Sequence, residues 1–202
     1  QRVRARTGAR RRSPRAPGRA REPTGSFCQG ARRYTPAMAT HQSPCELCTR
    51  IATCRDGTHP GLIAELDTGW AVLGDLQYWE GYSLLLCKEP VTEIHDLPRD
   101  VRGRRLGEVS QLAEAVPRVG RPHKLKVESL GNVVHHLHWH VFPRRADERE
   151  AKAPVWTQMP KGTLAAAHQL DPGRHDGLRR RIAEELASLR AGWRSSARHG
   201  AS

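Results

Sequence analysis

The sequence lacks any run of apolar residues close to the ~20 that an α-helix needs to cross a lipid bilayer. We therefore expect its folded part to be soluble. Cysteine is also scarce, because the 202 residues include only five, at irregular spacing and with no signal peptide before them. This pattern argues against a scaffold of disulfide bonds and favours a reducing, cytoplasmic setting.

Acidic residues are nearly absent from the first 37 residues, which contain eleven arginines and one glutamate and carry +10 of the net charge of +13. The other 165 residues carry 23 Lys and Arg against 20 Asp and Glu, a net charge of +3. Large apolar side chains are almost missing from the same segment, so it cannot bury enough surface to fold alone. We predict a disordered Arg-rich extension over residues 1–37, lying upstream of Met38 and attracting nucleic acid only non-specifically.

The remaining chain contains several short strand patterns. Two of them, residues 62–66 and 70–74, are separated by an Asp-Thr-Gly turn and predict a hairpin. Further strands are predicted over residues 82–88, 123–129 and 136–141.

Two helix patterns accompany these strands. The first is predicted to begin near Pro98 and Asp100 and to end at Pro117, and the second to follow Asp176. Their inward stripes are Val109, Leu112, Ala113 and Val116 in the first helix, and Leu178, Ile182, Leu186 and Leu189 in the second. Hairpins with few helices predict an α+β fold with an antiparallel sheet. We expect a catalytic domain over residues 38–150, and a loop with a C-terminal helical segment and a mobile end over residues 151–202.

Four histidines lie within six positions of the stretch VVHHLHWHVFPR. His136, His138 and His140 alternate with Leu137, Trp139 and Val141, so a strand would direct the three imidazoles to one face. Water-facing strand positions usually carry Lys, Glu or Thr instead, which favours a functional row. His135 is out of phase, and we interpret it as a structural or surface residue.

The run from His136 to Phe142 resembles the His-φ-His-φ-His-φ-φ signature of the histidine-triad (HIT) superfamily. The resemblance extends to Leu130-Gly131-Asn132, to Phe142-Pro143-Arg144 and to the central strands, and it covers residues 43–145. It implies a HIT-like antiparallel sheet of about five strands and a homodimer whose sheets join edge to edge. The implied activity is nucleotidyl transfer or hydrolysis, usually of adenylyl groups, with nucleoside phosphoramidates or dinucleoside polyphosphates as substrates.

The resemblance also implies a role for each site residue. His138 is the nucleophile that forms a nucleotidyl-histidine intermediate, and His136 is its orienting neighbour. His140 and Asn132 donate hydrogen bonds to the phosphate. Asp75 lies where relatives hold the ribose hydroxyls, although turn chemistry explains an Asp after a strand equally well. Transferase-like branches commonly carry Gln at the third triad position, so His140 favours a hydrolase. No cofactor is implied for catalysis.

A structural zinc site is a further expectation, because some relatives bind zinc through an N-terminal Cys-x-x-Cys and two histidines. The matching residues are Cys45, Cys48 and His136. The other histidine of these relatives is replaced by Pro90, and His95 and Cys54 are the nearest substitutes. A tetrahedral site needs four ligands, so two ordinary thiols remain an alternative.

Other functions also fit parts of the sequence. The string HLHW resembles the zinc-ligand strand of α-type carbonic anhydrases, where His168 would have to be the third ligand. A non-catalytic nucleotide-binding or nucleic-acid-associated module would use the Arg-rich extension for phosphate attraction. The aromatic residues Tyr78, Trp79 and Tyr82 are suited to base stacking, but core packing is the expected role of at least two of them.

Overall fold

The computed structural model describes residues 45–148, 150 and 152–199, with side chains described up to residue 193. The predicted Arg-rich extension and Met38 lie outside the described residues. The helices are α1 Glu46–Arg55, α2 Arg99–Gly120, α3 Gly162–Ala167 and α4 Pro172–His199. The strands are β1 Leu62–Glu65, β2 Gly69–Leu73, β3 Ser83–Cys87, β4 Lys124–Glu128 and β5 His138–Arg144. Two short 3₁₀ turns lie at Ile94–Asp96 and Val155–Gln158.

The five strands form one antiparallel sheet in the order β1-β2-β3-β5-β4. The first two strands form the predicted hairpin, and β5, which carries two histidines of the triad, lies inside the sheet between β3 and β4. His138 pairs with Leu86 and His140 with Leu84. The α+β fold with an antiparallel sheet is therefore confirmed.

One face of the sheet packs against α2 and α4. Its core includes Ala71, Leu85 and Val141 from the strands, and Leu112 and Val116 from α2. The predicted stripe of the C-terminal helix is buried in the same core: Leu178, Ile182, Leu186 and Leu189. In α2, Ala115 is fully buried, whereas Ala113 is only partly buried. The inward stripe of this helix therefore includes Ala115 instead of the predicted Ala113.

The opposite face of the sheet packs against α1 and the second 3₁₀ turn. Its strand residues are Val72, Leu84, Leu86 and Phe142, and they contact Leu47 and Ile51 of α1 and Val155 of the turn. Helix α1 was not predicted from the sequence. Its apolar positions Leu47, Ile51 and Cys54 follow helical spacing, but they span only two turns.

Helix α2 continues through Pro117 to Gly120, one turn beyond the predicted end. Proline inside a helix removes a backbone hydrogen bond and usually ends it. Here Val116 is fully buried and Val119 packs against the same core, so tertiary contacts hold the last turn in place. Arg121 then ends the helix in the left-handed conformation, with a φ of 47°.

Regular structure continues after the triad. β5 extends to Arg144, and α4 begins at Pro172, four residues before Asp176. Proline is favoured in the first turn of a helix, where its missing N–H has no helical partner. Within the described part of the chain, no helix is long and apolar enough to span a membrane.

Candidate active site

The triad lies on the sheet face that packs against α1. His138 and His140 are in β5, whereas His136 lies just before it, so the strand begins two residues later than predicted. This preceding segment is still tied to the sheet, because the Leu137 N–H donates to the Val91 carbonyl and the Leu137 carbonyl accepts from the Cys87 N–H. All three imidazoles are nearly buried, with exposed fractions of 1% for His136 and 7% for each of the others.

His138 is held in one tautomer by the backbone of the triad itself. Its Nδ1 lies 2.6 Å from the carbonyl oxygen of His136. A carbonyl can only accept a hydrogen bond, so Nδ1 carries the proton and Nε2 keeps its lone pair. Burial lowers the pKa of His138, which keeps the ring neutral near pH 7. Its Nε2 has no hydrogen-bond partner among the described residues.

His140 has a different environment. Its Nδ1 lies 2.6 Å from the hydroxyl of Tyr82, and its ring meets the His138 ring edge-on with centroids 4.6 Å apart. Burial, followed by the charge that His138 would carry, lowers the pKa of His140 to about 3. This ring is therefore also neutral near pH 7.

Two cavities meet at these histidines. One, of about 440 Å³, is lined mainly by the loop before β5: Leu130, Gly131, Asn132, Val133 and Val134. The other, of about 240 Å³, includes Glu46, Arg50 and Asp75. Val134, His138, His140 and Trp156 line both. A larger cavity of about 580 Å³, beside Arg121 and Arg181, contains no histidine of the triad and is remote from this chemistry.

Asn132 and Asp75 thus line different cavities beside the same histidines. Asn132 is exposed at the first cavity, after Gly131, whose φ of +67° favours glycine. Asp75 lines the second, and both of its carboxylate oxygens accept from Arg50, at 2.7 and 2.5 Å. Each carboxylate oxygen has a second lone pair, so this ion pair leaves Asp75 able to accept further hydrogen bonds. Arg50 was not predicted as a site residue because α1 was not predicted.

Trp156 also lines the site, and it was not predicted from the sequence. Its ring meets the His140 ring edge-on, with centroids 4.8 Å apart, and its Nε1–H donates to Glu128 at 2.7 Å. The loop that carries Trp156 is anchored by a buried ion pair between Arg144 Nε and Glu148 Oε2, 2.5 Å apart. The Arg144 Nη1–H also donates to the carbonyl of Ala153. The Phe-Pro-Arg run and the nearby acid were visible in the sequence, but their contact was not.

The predicted zinc ligands are partly brought together. Cys45, Cys48 and His136 have ligand atoms that all lie within 4.8 Å of one another. His136 Nε2 donates to the Cys87 carbonyl at 2.9 Å, which leaves Nδ1 unprotonated and directed at the sulfur atoms of Cys48, 3.5 Å away, and Cys45, 3.9 Å away. Tetrahedral zinc with one thiolate and one imidazole separates S and N by roughly 3.5 Å. These three residues therefore fit a zinc ion.

The proposed substitutes for the fourth ligand are not in this group. The His95 side chain is 63% exposed, with its Nε2 3.9 Å from Asp96 Oδ1, because the 3₁₀ turn directs it to the surface. Cys54, in the last turn of α1, is buried in the core between this helix and the sheet. Within residues 45–148, 150 and 152–193, the group that fits a metal has three members.

The carbonic anhydrase alternative loses its structural basis. His168 does not join His136 and His138 in a metal-binding group among the described residues, as a carbonic anhydrase site would require, and its Nδ1 instead donates to the Leu164 carbonyl. His135 is exposed, as expected. Trp79 and Tyr82 are buried, so core packing is confirmed for two of the three aromatic residues.

Known proteins resemble this chain in sequence and in fold. A sequence profile described as the HIT domain matches residues 62–147. A crystal structure of a histidine triad protein from Sinorhizobium meliloti has a TM-score of 0.55 and 22% identity, covering 65% of this chain and 93% of that one. One from Marinobacter aquaeolei has a TM-score of 0.55 and 23% identity, covering 63% and 89%. A zinc-bound histidine triad family protein from Mycobacterium smegmatis has a TM-score of 0.51 and 19% identity, covering 74% and 97%. No curated protein sequence matches significantly.

Proposed function

We propose, from the premise that the chain belongs to the histidine-triad (HIT) superfamily through residues 62–147, that it is a hydrolase transferring a nucleotidyl group, preferably adenylyl, to water. Family membership supports a nucleotide-binding or hydrolase-type function in general. The proposed substrates are small molecules, either nucleoside phosphoramidates or dinucleoside polyphosphates. The observation that carries the proposal is the neutral His138, whose Nε2 is unprotonated and lacks a partner among the described residues, at the junction of two cavities.

The first proposed step is attack by His138. The Nε2 lone pair forms a bond to the α-phosphorus, and the bond from phosphorus to the leaving group breaks. The leaving group departs with the bonding electrons and takes a proton from solvent. The hydrogen bond from Nδ1 to the His136 carbonyl stabilises the positive charge that develops on the ring.

The second proposed step is hydrolysis of the nucleotidyl-histidine intermediate. Water attacks the same phosphorus, the phosphorus–nitrogen bond breaks, and the electron pair returns to His138 Nε2. The products are a nucleoside monophosphate and a proton. One difficult displacement is thereby divided into two easier ones.

Two donors are proposed to stabilise negative charge on the non-bridging phosphate oxygens. His140 lines both cavities beside His138, and Asn132 lines the first cavity. Neutral donors fixed before the reaction stabilise charge as it develops in the transition state. Asp75 is proposed to accept from the ribose hydroxyls in the second cavity, with Arg50 holding its carboxylate in place.

A structural zinc ion held by Cys45, Cys48 and His136 is part of the proposal, and the zinc-bound relative gives it further support. When bound, zinc would cross-link the start of α1 to the segment before β5. His136 is already oriented for this role by its hydrogen bond to the Cys87 carbonyl, which fixes the ligating nitrogen. The proposed chemical steps use protein groups and water alone.

The proposed assembly is a homodimer in the cytoplasm. β4 is an edge strand, and an edge strand presents unpaired backbone groups to a second sheet. Val127 of this strand is 41% exposed, which provides apolar surface at the same edge. The cytoplasmic setting is proposed because the irregular spacing of the five cysteines argues against a scaffold of disulfide bonds.

Steady-state turnover tests the proposed function. The full chain would be incubated with adenosine phosphoramidate and with a diadenosine polyphosphate, and release of AMP would be measured. We expect His138→Ala to lower turnover by about 10⁴-fold or more, as for other nucleophiles in concerted sites. His135→Ala is the matched control, because it removes an exposed neighbouring imidazole, and it should retain wild-type turnover.

The outcome separates the proposal from a non-catalytic nucleotide-binding module. Nucleotide binding without AMP release from either substrate would favour the binding module. Wild-type turnover by His138→Ala would contradict the assignment of the nucleophile.

A further inference from the structure

The side chain of Tyr82, immediately before β3, is fixed beside the triad. It is 5% exposed, and its ring stacks on Phe142 with centroids 4.1 Å apart and planes 6° from parallel. Gly74 allows this position, because a side-chain carbon there would collide with the Tyr82 ring. The ring is therefore confined, and its hydroxyl lies 2.6 Å from His140 Nδ1.

The direction of this hydrogen bond follows from the partners available. Burial raises the pKa of the Tyr82 hydroxyl, so it keeps its proton near neutral pH. Among the described residues, His140 Nδ1 is the only hydrogen-bond partner of that hydroxyl. If Nδ1 carried a proton, the tyrosine proton would be buried without an acceptor, which is unfavourable. Tyr82 therefore donates, and Nδ1 accepts.

We propose that Tyr82 is a positioning residue that holds His140 as the tautomer protonated on Nε2. A neutral imidazole has one N–H, so acceptance at Nδ1 leaves that N–H on Nε2. Nε2 has no partner among the described residues, and His140 lines both cavities. The ring thus offers a hydrogen-bond donor to the site.

The two neighbouring histidines would then be fixed in opposite tautomers by two different partners. The His136 carbonyl accepts from His138 Nδ1, so His138 presents a lone pair at Nε2. The Tyr82 hydroxyl donates to His140 Nδ1, so His140 presents an N–H at the same ring position. A lone pair suits attack on phosphorus, and an N–H suits a phosphate oxygen. The catalytic consequence of this division of roles rests on the proposed function. The two tautomers do not depend on that function.

Nuclear magnetic resonance tests the tautomers directly. The full chain, labelled with ¹⁵N-histidine, would be studied without ligand near pH 7 by long-range ¹H–¹⁵N correlation, which distinguishes the two neutral tautomers. His140→Gln and His138→Gln identify the signals. We expect His140 to be protonated on Nε2 and His138 on Nδ1. Protonation of His140 on Nδ1 would overturn the proposal, whether or not the protein turns over any nucleotide.

Tyr82→Phe tests whether the tyrosine hydroxyl fixes the His140 tautomer, because it removes only that hydroxyl. We expect His140 to become a mixture of tautomers and kcat to fall by up to about tenfold, with a smaller change in KM, since charge on the phosphate grows in the transition state. Tyr78→Phe is the matched control, because no hydrogen bond of its hydroxyl is found among the described residues, and it should change neither property. A His140 spectrum unaltered by Tyr82→Phe, in protein that melts as the wild type does, would overturn the role of Tyr82.

Discussion

The buried ion pair between Arg144 and Glu148 should be among the most sensitive interactions in this fold. The two side chains are 1% and 2% exposed, and Arg144 Nε lies 2.5 Å from Glu148 Oε2. The other carboxylate oxygen accepts from the Arg145 backbone N–H. Glu148→Ala removes both interactions and leaves the Arg144 guanidinium buried without a counter-charge.

The expected cost follows from this burial. Breaking a buried pair by removing one partner destabilises proteins by about 3–5 kcal/mol, most of it the penalty of the uncompensated charge. For a folded region of this size, a loss of about 3 kcal/mol lowers the Tm by about 6–12 °C. Glu148→Gln should cost less, because its amide oxygen can still accept one of the two hydrogen bonds.

Urea unfolding followed by tryptophan fluorescence measures these changes, and Asp147→Ala is the matched control. Asp147 is the adjacent acid and also pairs with an arginine, but its side chain is 81% exposed, so its removal should change stability by no more than about 0.5 kcal/mol. If Glu148→Ala costs no more than Asp147→Ala, the buried pair does not anchor the loop that carries Trp156.

Three further predictions concern pH, metal and the basic extension. The pKa of His140 is lowered in the folded state from its ordinary value near 6.5 to about 3. As the pH falls, the unfolded chain therefore gains a proton before the folded one does. The free energy of unfolding should fall by about 2 kcal/mol between pH 7 and 5 for this reason. His140→Gln should therefore show a smaller drop in Tm over that range than the wild type, and an equal drop would contradict it. Purified protein should carry about one zinc per chain. A strong chelator should lower the Tm of the wild type but not that of Cys45→Ser. Metal analysis that finds no zinc after zinc-replete expression would leave the thiols as ordinary residues. A chain beginning at Met38 should keep its Tm and turnover while losing salt-sensitive binding to nucleic acid, because residues 1–37 carry most of the net charge; loss of turnover at saturating substrate would contradict this.

Local periodicity was sufficient to predict the sheet and the row of histidines. Strands have a side-chain period of two, so alternation identified the shared face of His138 and His140 before any contact was known. The Asp-Thr-Gly turn between two strand patterns identified the hairpin. The amphipathic stripe of the C-terminal helix was recognised in the same way. These features depend on residues close together in sequence.

The features that were missed depend on contacts between distant segments. α1 has a short apolar stripe, and its first residue is preceded by Cys45, which makes no side-chain cap, so little local signal marks a helix there. It is held by packing against the sheet, and Arg50 reaches Asp75 only as a consequence. Trp156 likewise contacts His140 because the Arg144–Glu148 pair folds the loop back. His95 was expected near the thiols from its place in sequence, but the turn that contains it directs it to the surface.

The central claim, that His138 Nε2 becomes covalently bonded to the substrate phosphorus, is tested most directly by intact-mass spectrometry. The full chain would be mixed with excess adenosine phosphoramidate or a diadenosine polyphosphate and quenched within the first turnovers under conditions that preserve phosphorus–nitrogen bonds. The account predicts an added mass of one adenylyl group, located by peptide fragmentation on His138 and absent from His138→Ala. Turnover with no adduct at any quench time, or an adduct on another residue that persists in His138→Ala, would contradict it.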